Sequence, residues 1–269
     1  MLKSMLKLSG PIVRINPHEV HCNDRHFIEE IYALGNRKRD KPLHQVLGSG
    51  VPRAHQVDMP NYVKKAKSDV DKGLDDGTTV FASLFTSDLP ASEKTLQRLT
   101  EEGFSLFAAG TETVSWALTV ATYHLLTKPA MLAKLTEEVN SVVDSSGELP
   151  TWTALEKLPY LGAVIKECLR LSYGLASRTS RIPTGEDLFY SGLWTPKGSG
   201  TSTRVEYVIP RGSAIGMSAV VAHHDEEVYP DSHSFIPERW LDEQNQLRKE
   251  LDRSLLSFSK GSRGCIGIK

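Results

Sequence analysis

The sequence predicts a mainly α-helical fold with a small β portion. Three observations carry this expectation. Apolar residues recur at three- and four-residue steps through residues 91–127, the same period returns in 130–143 and 160–171, and a short β-branched run lies near the start of the chain. The 269 residues, 39% hydrophobic and 24% charged, suffice for a sizeable core in one or two domains. A net charge of −1, from 32 basic and 33 acidic side chains, points away from nucleic acid or any strongly charged partner. Cys22, Cys168 and Cys265 form an odd, sparse set, which suits a reducing compartment and no disulfide framework.

In chain order, Met1–Gly10 alternates apolar residues with lysine and is too short and too charged to span a bilayer. Pro11–His21 reads as two short strands around the Asn16-Pro17 turn, with Ile12, Val13 and Ile15 as the β-branched run. Asn23-Asp24 is a cap signal for a helix from Asp24 to Ala33. The charge run Asn36–Lys41 reads as a solvated loop. Residues 41–62, punctuated by Gly48, Gly50, Pro52 and Pro60, show no period. A polar helix or linker follows over 61–75, and a short apolar helix over Thr79–Phe85. After the Ser87–Pro90 turn, one long helix is expected over Ala91–Thr127, with Leu96, Leu99, Phe104, Phe107, Trp116, Val120 and Leu125 recurring at three- and four-residue steps. Pro129 opens the next, Ala130–Val143, with Leu132, Leu135, Val139 and Val142 as its buried stripe. A short helix lies within 149–159 and a clear one spans Tyr160–Leu171. Residues 185–208 contain Gly192, Gly198 and Gly200 with Ser and Thr, and Ala214–Val221 reads as a strand or helix start. Adjacent residues point different ways, so His223-His224-Asp225 reads as a solvated helix start and not as a metal site.

The stretch Phe258–Gly267 organises the rest. It sets Cys265 among Gly261, Gly264 and Gly267, with Arg263 two residues before the cysteine. A metal ligand must be a thiolate, which nearby positive charge and backbone N–H groups favour. Glycines let the backbone wrap closely round a sulfur, and an arginine offers a fork of donors for a carboxylate. Phe258 can lie against a flat aromatic group.

The spacing F-x-x-G-x-R-x-C-x-G, matched at every fixed position, resembles the haem-binding loop of the cytochrome P-450 family. The resemblance implies a partial fold of that family, a haem b whose iron takes Cys265 as axial ligand, and contacts from Phe258, Gly261, Arg263 and Gly267. Ala108-Ala109-Gly110-Thr111-Glu112-Thr113 is similar to the family's A-G-x-[DE]-T signature. It implies a cofactor-binding small-residue bay at Ala109 and Gly110 and a proton route through Thr113 with Glu112 as acid partner. Glu167 and Arg170 resemble the family's E-x-x-R pair, and Pro237-Glu-Arg239-Trp240 its P-E-R-F motif with Trp for Phe, which together imply a structural triad of Glu167, Arg170 and Arg239. A haem propionate is assigned to Arg178 in preference to Arg181. The family's W-x-x-x-R motif has no match, since no tryptophan precedes Trp116.

The resemblance covers residues 10–40 and 76–269. It implies a single partial haem-thiolate domain over 1–269, fungal in type, with an internal deletion around 41–62 and no helix after the cysteine loop. The implied activity is insertion of one oxygen atom into a small lipophilic molecule, with electrons from NADPH through a reductase. Full-length relatives are expected at the endoplasmic reticulum membrane through an anchor that this chain lacks. The alternative is a non-catalytic remnant with impaired or no haem binding. A third reading, a hydrolase using Cys265 with His223 or His224, needs a base beside the thiol.

Overall fold

The computed structural model describes residues 10–35, 37–42, 58–75, 77–143, 149–196 and 199–268. The N-terminal alternation and the unpatterned stretch around Gly48, Gly50 and Pro52 lie outside them. The mainly helical class with a small β portion holds. The chain divides into two compact units, residues 1–42 with 115–269, and residues 43–114.

The larger unit carries a five-stranded mixed sheet. Its strands are β1 (Ile12–Asn16), β2 (Glu19–Cys22), β3 (Arg39–Asp40), β4 (Arg178–Pro183) and, numbered after the hairpin strands below, β7 (Ala214–Ser218). The order is β1-β2-β7-β4-β3. Ile12 pairs with Cys22 in an antiparallel hairpin, β2 runs parallel to β7, and β4 is antiparallel to β7. A separate hairpin joins β5 (Leu188–Trp194) and β6 (Thr203–Ile209), with Trp194 opposite Thr203. Cys22, Phe27, Ile28, Ile31, Tyr190, Ile215 and Met217 pack between them as one core.

The expected helix over 24–33 is shorter. Asp24 does cap it, accepting the His26 N–H at 2.8 Å, but only a 3-10 turn and α1 (Ile28–Ile31) follow. In the smaller unit, α2 (Asp58–Asp71) and α3 (Val80–Thr86) pack with the start of α4 (Leu96–Thr127) around buried Val63, Ala82, Leu99 and Phe104. Here α4 starts later than expected. Ala91–Lys94 is a 3-10 turn, and Thr95, extended, accepts the Arg98 N–H on its hydroxyl, as an N-cap does. Leu96, Phe107 and Trp116 on the periodic apolar face are exposed.

Beyond Thr127, α5 (Pro129–Asn140) keeps Leu132, Leu135 and Val139 only half-buried. Its Glu138 carboxylate accepts the N–H groups of Tyr160 and Leu161 at 2.9 and 2.8 Å. That satisfies two orphan donors at the start of α7 (Pro159–Ser172), which follows the single turn α6 (Trp152–Leu155). One face of α7 buries Tyr160, Val164 and Cys168 against Phe235. The last short helix is α8 (Ala219–Ala222). The two histidines that follow it are not solvated: His223 is fully buried and His224 nearly so.

Candidate functional site

The site is built on α7. Glu167 and Arg170, three apart, share one helix face and are both fully buried. Arg170 Nε and Nη2 meet Glu167 Oε2 and Oε1 at 2.8 and 2.7 Å, a bidentate pair. Arg239 adds Nε to Glu167 Oε1 at 3.1 Å, while its Nη1 and Nη2 donate to the carbonyls of Pro230 and Asp231. The three triad residues therefore stand together. Two further donors complete the shell around the carboxylate: the Ile236 N–H at 2.9 Å and the Trp240 indole N–H at 2.8 Å. Burial alone raises the Glu167 carboxyl, but the hydrogen bonds and charge of Arg170, with the Ile236 and Trp240 donors, outweigh it and hold the group below its ordinary value.

Arg170 also ties down the chain ahead of the cysteine. Its Nη1 donates to the carbonyls of His223 and Ser232 at 2.8 and 2.6 Å, and its Nη2 to that of Ser234 at 3.0 Å. The loop itself turns tightly. The Cys265 N–H donates to the Phe258 carbonyl at 2.9 Å and the Gly264 N–H to that of Gly261 at 3.0 Å. Gly261 has φ +75°, and a Cβ there would run into the Tyr32 carbonyl, so only glycine fits. A Cβ on Gly267 would lie 3.7 Å from Cys265 Sγ, an ordinary contact. Cys265 is exposed, whereas Cys22 and Cys168 are buried, and burial pushes their thiols up to about 12 and about 11. Of the three, only Cys265 is placed to offer a thiolate to a ligand.

The arginine beside this loop is Arg181, not Arg178. Three apart on β4, the two point to opposite faces of the sheet. Arg178 pairs with Glu19 at 3.4 Å. Arg181, 2% exposed, sends Nη2 to Ser259 Oγ at 2.9 Å and to the Arg263 carbonyl at 3.2 Å, and Nη1 to the Ser180 carbonyl at 2.9 Å. All its acceptors are uncharged, and no carboxylate among the described residues pairs with it. Burial, with the Arg263 charge beside it, lowers its affinity for the proton against the opposing effect of Tyr32. Lys41 is lowered in the same way, by burial and then by Arg181 and Arg263. Arg263 itself is half-exposed, with Asp40 at 3.8 Å. A buried guanidinium without a counter-charge is costly. This cluster therefore fits an anionic group set against the cysteine loop, as a carboxylate-bearing cofactor would be.

In the smaller unit, Thr113 Oγ1 donates to the Ala109 carbonyl at 2.7 Å, one turn back along α4. Its lone pairs stay available to accept. Ala109, Gly110, Glu112 and Thr113 are all exposed, and a Cβ on Gly110 would meet nothing within 4 Å. Among the described residues no group of three metal-ligating side chains occurs, and both histidine rings at 223 and 224 are committed. His224 Nε2 meets the Tyr173 hydroxyl at 2.7 Å and its Nδ1 meets Ser232 Oγ at 3.0 Å. Neither serves Cys265 as a base, so the hydrolase reading gains no base from His223 or His224.

A helical body, a small mixed sheet and a glycine-rich cysteine loop behind a buried Glu–Arg–Arg cluster define a recognisable class of scaffold. Residues 53–269 match the family model described as Cytochrome P450. The chain belongs to the cytochrome P450 family, a family of monooxygenases. It is 41% identical over 285 residues to cytochrome P450 monooxygenase ppzE of Metarhizium rileyi (strain RCEF 4871), covering 96% of this chain and 71% of that protein. It is 42% identical over 219 residues to cytochrome P450 monooxygenase MO6277 of Ascocoryne sarcoides, covering 80% of this chain and 40% of that one. With cytochrome P450 monooxygenase astB of Talaromyces wortmannii it shares 30% over 376 residues, 99% of this chain and 73% of the relative. That alignment is far longer than the 269-residue chain, so a large block of the relative has no counterpart here. No described helix is long and apolar enough to cross a membrane.

Proposed function

We propose that the chain is a partial haem-thiolate domain, with an internal deletion around residues 41–62, that holds haem b and supports monooxygenation of a small lipophilic substrate. The observation that carries this reading is Arg181, buried beside the cysteine loop with no carboxylate partner among the described residues. Cys265 is the iron ligand. Arg181 and Arg263 take the propionates, the role expected of Arg178 passing to Arg181. Phe258 would pack against the flat ring of the haem, and Gly261 and Gly267 would let the backbone wrap round the sulfur.

A cysteine-ligated haem supplies the chemistry that splits dioxygen. The residues of the chain do the rest. The Glu167–Arg170–Arg239 cluster holds the scaffold behind the loop. Thr113, its hydroxyl proton given to Ala109, accepts a proton bond from water or substrate, and Glu112 feeds protons from solvent. Ala109 and Gly110 leave room beside α4 for a bound molecule. Electrons come from NADPH through a reductase.

The test is reductase- and NADPH-dependent incorporation of one isotopically labelled oxygen atom from dioxygen into a lipophilic substrate panel. A second reading, a remnant without turnover, is favoured by the block of the Talaromyces relative that has no counterpart here. Wild-type chain that takes up no haem, or binds it and incorporates no label across the panel, selects that reading.

A further inference from the structure

His223 follows α8 and is fully buried. Its ring bridges two backbone groups far apart in the chain. Nδ1 lies 2.7 Å from the Arg170 carbonyl oxygen, and Nε2 lies 2.8 Å from the Leu256 amide nitrogen. A carbonyl can only accept and an amide N–H can only donate. The two contacts therefore fix the ring: Nδ1 carries the proton, Nε2 offers its lone pair, and the imidazole is neutral. Arg170 answers by donating Nη1 to the His223 carbonyl at 2.8 Å. The two residues are tied in both directions.

Leu256 leads into the cysteine loop. It lies outside any helix or strand, so its buried N–H has no ladder partner and needs a side-chain acceptor. Its carbonyl accepts the Ser259 N–H at 2.8 Å, and Ser259 Oγ accepts from Arg181. Phe258, two residues on, accepts the Cys265 N–H. A continuous run of hydrogen bonds thus passes from Glu167 through Arg170 and His223 to Leu256 and the loop. Next to Leu256, Gly174 at φ +67° lets the end of α7 close on the Ser257 carbonyl.

We propose that His223 is a positioning residue for Cys265: its neutral ring fixes Leu256 against Arg170, so that the buried Glu167–Arg170–Arg239 cluster sets where the cysteine loop begins. The spectroscopic half of the test rests on Cys265 as the haem ligand; the thiol half does not. Three variants serve. H223F leaves both backbone groups unpaired, H223Q offers one amide donor and one acceptor, and Y229F is a control. Tyr229 is buried and donates to the Leu251 carbonyl at 3.2 Å, away from Leu256.

The first readout is the rate at which an aromatic disulfide reagent modifies Cys265 in the haem-free protein, where Cys22 and Cys168 are shielded. The second is the fraction of reduced, CO-bound haem that keeps a thiolate-type Soret band. We expect H223F to change the modification rate about fivefold, the equivalent of the lost Leu256 hydrogen bond alone at about 1 kcal/mol, and to lower the thiolate fraction. H223Q should restore both, and Y229F should leave both alone even where its melting temperature falls as far. If H223F does not fold, H223N carries the same expectation, since its shorter amide meets the Arg170 carbonyl but not Leu256. A wild-type rate in H223F or H223N, or an equal change in Y229F, overturns the proposal. A wild-type protein with no thiolate band overturns the haem reading instead, and the thiol rates still decide the role of His223.

Discussion

Trp240 donates its indole N–H to Glu167 Oε2 over 2.8 Å, within a carboxylate already held by Arg170, Arg239 and the Ile236 N–H. A buried indole N–H usually finds an acceptor. Trp240 is fully buried, so the exchange of the motif's usual Phe for Trp adds a donor to the cluster. Trp240→Phe should lose a hydrogen bond to a charged group, about 1.5–3 kcal/mol. Denaturant unfolding reads it as a lower midpoint at an unchanged slope.

Arg170→Met should be far worse. It leaves the Glu167 charge buried with much of its compensation gone and orphans three backbone carbonyls. Breaking a buried pair from one side costs about 3–5 kcal/mol. The expected outcome is a chain that is largely unfolded by circular dichroism at room temperature.

Gly261→Ala tests the loop. At φ +75° an L-residue costs about 1–2 kcal/mol before its Cβ meets the Tyr32 backbone. Haem titration should show weaker binding in this variant, whereas Gly185→Ala, with nothing within 4 Å of its Cβ, should bind as the wild type does.

Stability should fall in acid partly through His223. Burial, together with the Arg170 and His224 charges and against the Arg170 carbonyl bond and Glu167, lowers it from its ordinary 6.5 to about 4. The folded state therefore binds fewer protons than the unfolded chain between those values. The contribution is complete above pH 6.5 and is lost as pH falls toward about 4. His21 is lowered to about 4 as well, by burial first, and adds a slope of the same sign. Unfolding free energies measured at pH 7 and pH 5 should differ less in His223→Gln than in the wild type, with the His21 share remaining.

Much of this was legible in the chain. The three- and four-residue periods placed α4, α5 and α7, and the E-x-x-R and P-E-R-W spacings marked residues that stand together around Glu167. What local pattern could not show was direction across the sheet. Arg178 and Arg181 look equivalent in sequence, and only the strand assignment of β4 separates their faces. The same holds for His223-His224, which read as solvated because charged residues follow them, yet are enclosed by α7 and the segment before the loop. The exposed Phe107 and Trp116 of α4 reverse the usual periodicity argument, which says where an apolar face lies but not whether anything covers it.

The most direct measurement is the reduced, carbon-monoxide-bound difference spectrum of the haem-reconstituted chain beside Cys265→Ala. A red-shifted Soret band in the wild type that disappears in the variant is the predicted result. No haem uptake, or a spectrum that the substitution leaves unchanged, would contradict Cys265 as the iron ligand.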